Sequence, residues 1–182
     1  MSFHPTTRRL ILRAPMLSDM AAFVAILGDY DVAKNLEKVP HPYTPTMYRE
    51  ALACIDRERC DRTAFYFAVN RAMDGALIGM CAVEQGADGA WELGYWYGRS
   101  HWGQGYATEA ARPVLRLAFE DMGAERLTAG WFADNSASGA VLEKLGFAVT
   151  ATEQAPCAAR GGKVPSHRAE LTREQFARKK AA

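Results

Sequence analysis

Hydrophobic residues in this chain change their repeat near residue 100. Before that point the pattern is one of strands joined by short turns. Ala64 to Val69 (A-F-Y-F-A-V) and Ala76 to Val83 (A-L-I-G-M-C-A-V) flank a turn, Asn70 to Gly75, that ends in Asp-Gly. A second turn, Gly86 to Gly89, leads to Trp91 to Tyr97, and the three segments predict an antiparallel meander. After Gly103-Gln104-Gly105 the apolar residues Ala107, Ala111, Val114, Leu115, Ala118 and Phe119 recur at helical spacing. Leu127 to Phe132 is then a strand, Ser138 to Leu145 a helix stopped by Gly146, and Phe147 to Thr150 the start of another strand. Strands that alternate with helices imply parallel pairing. A chain with both patterns leads to an α+β fold built on a mixed sheet.

The flanking segments are read in the same way. Thr7 to Arg13 is a first strand closed by Pro15, and Ser18 can cap a helix with Ala22, Phe23, Ile26 and Leu27 as its apolar stripe. Asp29 to Val39 predicts a short helix. His41 to Pro45 is a break with two prolines. Thr46 to Cys60 predicts a helix with Met47, Ala51, Cys54 and Ile55 on one face. Pro113 should kink the helix that follows the glycines. Near the end, a loop with Gly161-Gly162 and Pro165 leads to a last strand, Arg168 to Leu171. Thr172 to Gln175 then forms a capping box for a terminal helix. With no repeat, linker or low-complexity tract, residues 1–182 read as a single domain.

Composition narrows the function. The formal net charge of +1 gives no general field to recruit nucleic acid or an anionic membrane. No apolar run approaches the ~20 residues that a membrane span needs. Arg8-Arg9 is faintly like a twin-arginine signal, but Arg13 ends the apolar run that follows too early for one. Cys54, Cys60, Cys81 and Cys157 form no C-x-x-C pair and read as free thiols of a reducing, cytoplasmic compartment. His4, His41, His101 and His167 lack metal-ligand spacing, so no metal is expected.

The segment from Glu92 to Glu109 carries chemistry. Glycines at alternate positions, Gly103 and Gly105, let a backbone approach a ligand closely. The helix behind them offers unpaired amides and the positive end of its dipole. Together these suit a pyrophosphate. The segment is not a Walker A loop, since no Gly-Lys-Ser/Thr follows, and Thr108 stands where a third dinucleotide-loop glycine would be. Taken alone, the glycines fit a tight strand-to-helix turn equally well.

A second element tips that balance. W-G-Q-G-Y-A-T-E-A from Trp102, followed by D-N-x-x-S-x-x-V-L-E-K-L-G-F from Asp134, resembles the GNAT superfamily of N-acetyltransferases. The likeness is greatest to its Rim-like branch, which includes acetyltransferases of ribosomal protein N-termini. R-L-I-L-R-A-P from Arg9, V-P-H-P-Y-T from Val39 and A-L-I-G-M from Ala76 resemble that branch more loosely, and the likeness runs from residue 7 to residue 177. It implies one N-acetyltransferase domain: a mostly antiparallel sheet of six to seven strands with a splayed parallel pair and flanking helices. It also implies acetyl-CoA as cofactor and transfer of its acetyl group to a primary amine by direct attack on the thioester. The acceptor is a protein N-terminus or a small amine such as a polyamine, amino acid or aminoglycoside, and the protein is a monomer or homodimer. The competing expectation is a non-catalytic domain that binds or senses acyl-CoA.

Carried over residue by residue, the resemblance gives the pyrophosphate to the backbone of Trp102, Gly103, Gln104, Gly105, Tyr106 and Ala107. The pantetheine arm pairs with the strand from Leu93 through Tyr95 to Tyr97, where a backbone amide can bind the thioester oxygen. Asn135 contacts that arm, or else is simply a turn residue before a helix. Two departures stand out. Ser100, next to Arg99, occupies the place of a frequent Gln or Arg. The frequent tyrosine acid of the closing helix falls at Leu142, which has no proton to donate. Ser138 can then hydrogen-bond the departing thiolate, cap its helix, or both. The attacking amine, with a pKa near 8 to 10, needs a base or a water chain. Glu92 is the candidate base, with a solvated strand carboxylate as its plainer reading. Strand alternation puts Glu92, Gly94 and Trp96 on one face and Trp91, Leu93, Tyr95 and Tyr97 on the other. Glu109 suits the helix dipole and is structural. His41, Tyr43, Tyr97 and Trp102 are candidates for lining an acceptor pocket.

Overall fold

Apolar residues at alternate positions of one strand hold two helical layers apart. The computed structural model describes residues 4–86 and 89–181. In chain order it contains β1 (Leu10–Arg13), α1 (Met20–Leu27), α2 (Tyr30–Ala33), α3 (Pro45–Asp61), β2 (Ala64–Arg71), β3 (Leu77–Gln85), β4 (Trp91–Tyr97), α4 (Tyr106–Arg116), β5 (Arg126–Phe132), α5 (Ser136–Leu145), β6 (Ala148–Cys157), β7 (Gly162–Thr172) and α6 (Arg173–Ala181). The seven strands form one sheet in the order β1-β2-β3-β4-β5-β7-β6. Only β4 and β5 run parallel; every other neighbouring pair is antiparallel. The mixed sheet read from the sequence is therefore present. The turn expected at Gly86 to Gly89 includes Ala87 and Asp88, which lie outside the described residues.

On β4, Leu93 and Tyr97 enter a core with Ala110, Ala111, Val114 and Leu115 of α4 and Leu142 and Leu145 of α5. Trp96 points the other way and packs with Phe23, Leu27 and Tyr48 from α1 and α3. The side-chain alternation expected of this strand thus places α4 and α5 on one face of the sheet and α1 and α3 on the opposite face.

Several local readings need correction. Ser18 is exposed and caps nothing; Leu17–Asp19 is a 3-10 turn and α1 starts at Met20. Asp19 organises this start instead, accepting from the Met16 amide at 2.8 Å and from both Arg13 terminal nitrogens at 2.7 Å. The buried face of α3 runs through Tyr48 and Ile55, and Cys54 is exposed; the helix also starts earlier than expected, capped by Thr44. Only Tyr30–Ala33 of the predicted 29–39 helix forms. The chain beyond it is held by the β6–β7 tip: the Arg160 Nε donates to the Lys34 carbonyl at 2.8 Å and the Ala158 amide to the Glu37 carbonyl at 3.0 Å.

β6 and β7 make one long hairpin where a loop was expected. Proline is rare inside a sheet because it lacks a ladder donor. Pro165 escapes that restriction because β5 ends at the Phe132–Ser166 pair; just past it the Ala133 amide donates to the Pro165 carbonyl at 2.8 Å, and no ladder donor is asked of the proline. The helix α4 passes through the buried Pro113 and then widens into a π-helical turn over Leu117–Asp121. The C′ glycine Gly146 has φ 103°, and the Thr172–Gln175 capping box forms, as expected.

One carboxylate ties the N-terminal segment over α4. Glu109 accepts from the Thr7 hydroxyl at 2.6 Å, the Arg9 amide at 3.0 Å and the Arg9 Nε at 2.6 Å. Burial pushes its pKa up, and these hydrogen bonds outweigh that and hold it below the usual carboxylate range. A depressed native pKa stabilises the fold above the unfolded-state pKa and loses that contribution as pH falls through the native one. Glu109→Gln is therefore expected to cost about 2 kcal/mol at pH 7. Its deficit should close below about pH 4. Denaturant titrations of both proteins at the two pH values check this.

Candidate active site

Two strands that start as neighbours do not stay neighbours. β4 and β5 pair only at Trp91–Leu127 and Glu92–Thr128. Beyond that point β4 continues along β3 as far as Tyr97–Gly79, and β5 along β7 as far as Phe132–Ser166. A wedge opens between them. Its two edges carry backbone donors and acceptors that the sheet does not pair, which is costly unless water or a ligand takes them.

The glycine loop stands at the open end of β4. Its conformation is set by side chains folded back on the chain. The Trp102 indole Nε1 donates to the Tyr97 carbonyl at 2.7 Å, and the Gln104 Nε2 to the Ser100 carbonyl at 2.8 Å. Gly103 and Gly105 have φ of 71° and 78°, left-handed values that other residues adopt only with strain. Gly105 caps α4 without a side chain, and Glu109 is the residue whose amide reaches the Gly105 carbonyl, at 3.0 Å. The amides of Tyr106, Ala107 and Thr108 are left without a helical acceptor. The Arg9 guanidinium lies 4.5 Å from the centre of the buried Tyr106 ring. Free amides, the helix dipole and a nearby cation make this end of the wedge an anion cradle. Of the residues expected to build it, Trp102 departs in one respect: its amide is engaged in the preceding turn, donating to the Arg99 carbonyl at 3.2 Å.

On the α4–α5 face, the start of α5 leans over the wedge. Asn135, rather than Ser138, is the cap: its Oδ1 accepts from the Ser138 amide at 3.2 Å. Its Nδ2 has no acceptor among the described residues. Ser138 lies inside the first turn. Its Oγ is 3.0 Å from the Tyr95 hydroxyl, which also lies 3.1 Å from the Ser138 carbonyl. The strand reading used only the backbone of Tyr95 and missed this side-chain contact. Leu142 is 1% exposed and belongs to the core.

On the opposite face, Glu92 meets charged groups that no local pattern announced. Its Oε1 accepts from the Arg168 Nη1 at 2.7 Å. The same guanidinium donates through Nε to Glu153 at 2.6 Å and lies 3.6 Å from Glu37. Burial lifts the Glu37 carboxyl above its ordinary range despite Arg168, and Glu92 and Glu153 add to the rise. Arg168 fits here because its partner on β5 is Gly130, where a Cβ would come within 2.8 Å of Nη1. The available signal was the alternation of Arg168 and Glu170 with buried Ala169 and Leu171, which turns both charges away from the α4–α5 core. The four aromatic candidates for an acceptor pocket do not line one surface, although the Trp102 indole bonds the Tyr97 carbonyl. Tyr97 is in the α4–α5 core, Tyr43 packs with the α1–α3 cluster, and His41 bonds the Gly28 carbonyl at 3.0 Å. Among the described residues, no group of three His, Cys, Asp or Glu side chains can hold a metal, and no helix is long and apolar enough to cross a membrane.

Known proteins resemble this chain in sequence and in fold. The chain is 28% identical over 144 residues to the uncharacterized N-acetyltransferase p20 of Bacillus licheniformis, covering 78% of this chain and 80% of that one. The structure of Mycobacterium smegmatis RimJ in complex with CoA-disulfide superposes with a TM-score of 0.80 at 20% identity, covering 92% of this chain and 83% of that one. The spermidine N-acetyltransferase from Vibrio cholerae, solved with CoA and spermine, gives 0.78 at 17% identity, covering 94% and 99%. The family model for an acetyltransferase (GNAT) domain matches residues 9–148, a span that includes both walls of the wedge, the glycine loop and α5: the chain belongs to the GNAT acetyltransferase family.

Proposed function

We propose that the protein transfers the acetyl group of acetyl-CoA to a primary amine by direct attack on the thioester. The observation that carries this reading is the wedge, with an anion cradle at its open end and different chemistry on its two faces. The pyrophosphate binds the amides of Gly103, Gln104, Gly105, Tyr106 and Ala107, with Trp102 fixing the loop. The pantetheine arm pairs with the open edge of β4 between Leu93 and Tyr97, and the Asn135 Nδ2 donates to it. A backbone amide near Tyr95 receives the thioester oxygen as it gains charge.

The amine arrives from the other face, where Glu92, Glu37 and Glu153 surround one arginine. That excess of carboxylates suits a cation. A protein N-terminus and a polyamine both qualify, and the spermidine N-acetyltransferase among the similar structures bears a name of the second kind. Glu92 takes the proton from the ammonium, directly or through water. The nitrogen lone pair forms the C–N bond, the C–S bond breaks and its electron pair leaves on sulfur, and the nitrogen gives its second proton to water as it becomes the amide. The Ser138 hydroxyl hydrogen-bonds that thiolate. A non-catalytic acyl-CoA binder is the second reading, favoured by the buried Leu142 and by the Arg168 grip on Glu92.

Calorimetric titration with acetyl-CoA followed by thiol release with a panel of amines separates the two. One-site binding with release supports the enzyme; binding without release from any amine supports the binder. Gly105→Val is expected to weaken CoA binding at least tenfold in a folded protein, since a branched side chain at φ 78° disturbs the cradle. Unchanged affinity would remove the loop from the site. Glu92→Gln is expected to lower kcat by about 10²-fold near pH 7. The loss should shrink as pH approaches the amine pKa. An equal loss at every pH would make Glu92 part of the Arg168 ion-pair group and not a base.

A further inference from the structure

Tyr95 reaches from β4 across the wedge to the first turn of α5, on the cofactor side of the sheet. Its hydroxyl has one proton and two neighbours on the same residue, the Ser138 carbonyl at 3.1 Å and the Ser138 Oγ at 3.0 Å. The carbonyl can only accept. The Ser138 hydroxyl can donate to Tyr95 or accept from it. Two arrangements therefore share one set of heavy-atom positions. In the first, Tyr95 donates to the carbonyl and Ser138 donates to Tyr95. In the second, Tyr95 donates to the Ser138 Oγ, and the serine proton is free to point elsewhere.

We infer that Tyr95 is a positioning residue that aims and polarises the Ser138 hydroxyl toward the sulfur of the leaving thiolate. This deepens the acetyl-transfer reading and rests on it. As negative charge gathers on sulfur, the serine proton turns to it and the tyrosine proton turns to the serine oxygen. Two rotations about C–O bonds suffice. No proton leaves either residue: the C–S electron pair goes to sulfur, and the thiolate takes its proton later from solvent. A serine left alone in the first turn of a helix tends to bond back to a carbonyl of its own chain. Tyr95 competes with that alternative. The Asn135 cap on the Ser138 amide fixes the backbone under it. A chain of two hydroxyls polarises more strongly than one.

Burial keeps the groups around this pair neutral. It pushes the Tyr95 phenol well up, against the opposing effect of the Ser138 hydrogen bond. Cys81, the cross-strand partner of Tyr95 on β3, is pushed up to about 12, and Tyr97 on the same face is pushed up as well. Each of these shifts leads away from neutral pH, so none of the three puts a charge beside Ser138 there.

The test combines kinetics with binding. Tyr95→Phe removes the hydroxyl and keeps the ring. It is expected to lower kcat about tenfold and leave the KM for acetyl-CoA unchanged. Ser138→Ala should cost more, and the double variant should be no slower than Ser138→Ala alone, because Tyr95 acts through the serine. Ser138→Thr should recover most of the rate. A Tyr95→Phe enzyme with wild-type kcat, a loss confined to KM, or losses that multiply in the double variant would overturn the role and leave Tyr95 as packing. A second readout needs no turnover. The affinity for CoA, relative to CoA lacking its sulfur, should rise with pH as the bound thiol ionises below its free pKa. That rise should fade in both Tyr95→Phe and Ser138→Ala. If the rise is present but untouched by Tyr95→Phe, the inference fails whatever the protein catalyses. If it fades while no amine releases thiol, the contact from Tyr95 through Ser138 to the CoA sulfur stands, but its role in a leaving step fails with the acetyl-transfer reading.

Discussion

Every feature of the proposed site depends on β4 and β5 being neighbours for two residue pairs and no longer. A parallel ladder that continued would close the wedge and bury the edges that a ligand needs. Opening it forgoes a few backbone hydrogen bonds, each of about 1 kcal/mol net. The fold tolerates this because each strand has a full-length partner on its other side, β3 for β4 and β7 for β5. The strands are also propped apart. On one face α5 sits so close to β5 that a Cβ on Gly139 would lie 2.9 Å from the Trp131 indole nitrogen. On the other, the Arg168 guanidinium fills the space over Gly130. The absence of a side chain at these two glycines lets both props approach, so the wedge is a packed feature and not a gap in the sheet.

Both mouths of the wedge are then fixed by contacts between distant parts of the chain. At the cofactor end, Glu109 fastens the segment around Thr7 and Arg9 onto α4 and brings a cation beside the glycine loop. On the Glu92 face, the turn between β6 and β7 is bonded to the backbone after α2, where Arg160, Ala158 and the Cys157 Sγ take up the carbonyls of Lys34, Glu37 and Leu36. That second contact sets Glu37 near Arg168. Packing and electrostatics are coupled here, since loosening the hairpin tip would also disperse the carboxylates.

What could be read in the sequence was what is written locally. Gly103 and Gly105 have to be glycine at positive φ, Gly146 has to end its helix, and Trp91 to Tyr97 alternates as a strand between two cores does; all three are visible within a few residues. Errors arose where two local codes competed. Asn135 and Ser138 are both good caps, and only the backbone shows that the asparagine takes the role. Pro165 looked like a loop because the early end of β5, which makes it acceptable, is a property of the sheet. The Glu37–Glu92–Glu153–Arg168 group could not be seen at all. Its members come from four separate segments, and none has a neighbour in sequence that predicts the others. Tyr95 was legible as a strand residue, but its partner depends on how α5 crosses the wedge.

The two faces of β4 solve a problem that one surface could not. Acyl transfer from a thioester to an amine needs a hydrogen-bond donor for the sulfur that leaves and a proton acceptor for the nitrogen that arrives. Placed side by side, a carboxylate and a hydroxyl would bond to each other and satisfy neither task. Strand alternation prevents this. Glu92 and Tyr95 are close in sequence on one rigid strand, yet their side chains emerge on opposite sides of the sheet. Tyr95 finds Ser138 on the α5 side, and Glu92 finds Arg168 on the other. The backbone between them, from Leu93 to Tyr95, has one edge paired to β3 and the other facing the wedge. A carbonyl carbon held against that open edge would lie between the two sets of groups, with the nucleophile and leaving group approached from opposite faces of one sheet. In the proposed reaction, the separation of the hydrogen-bond donor from the base is therefore a consequence of the period-two geometry of a strand, made usable by the early end of its pairing with β5.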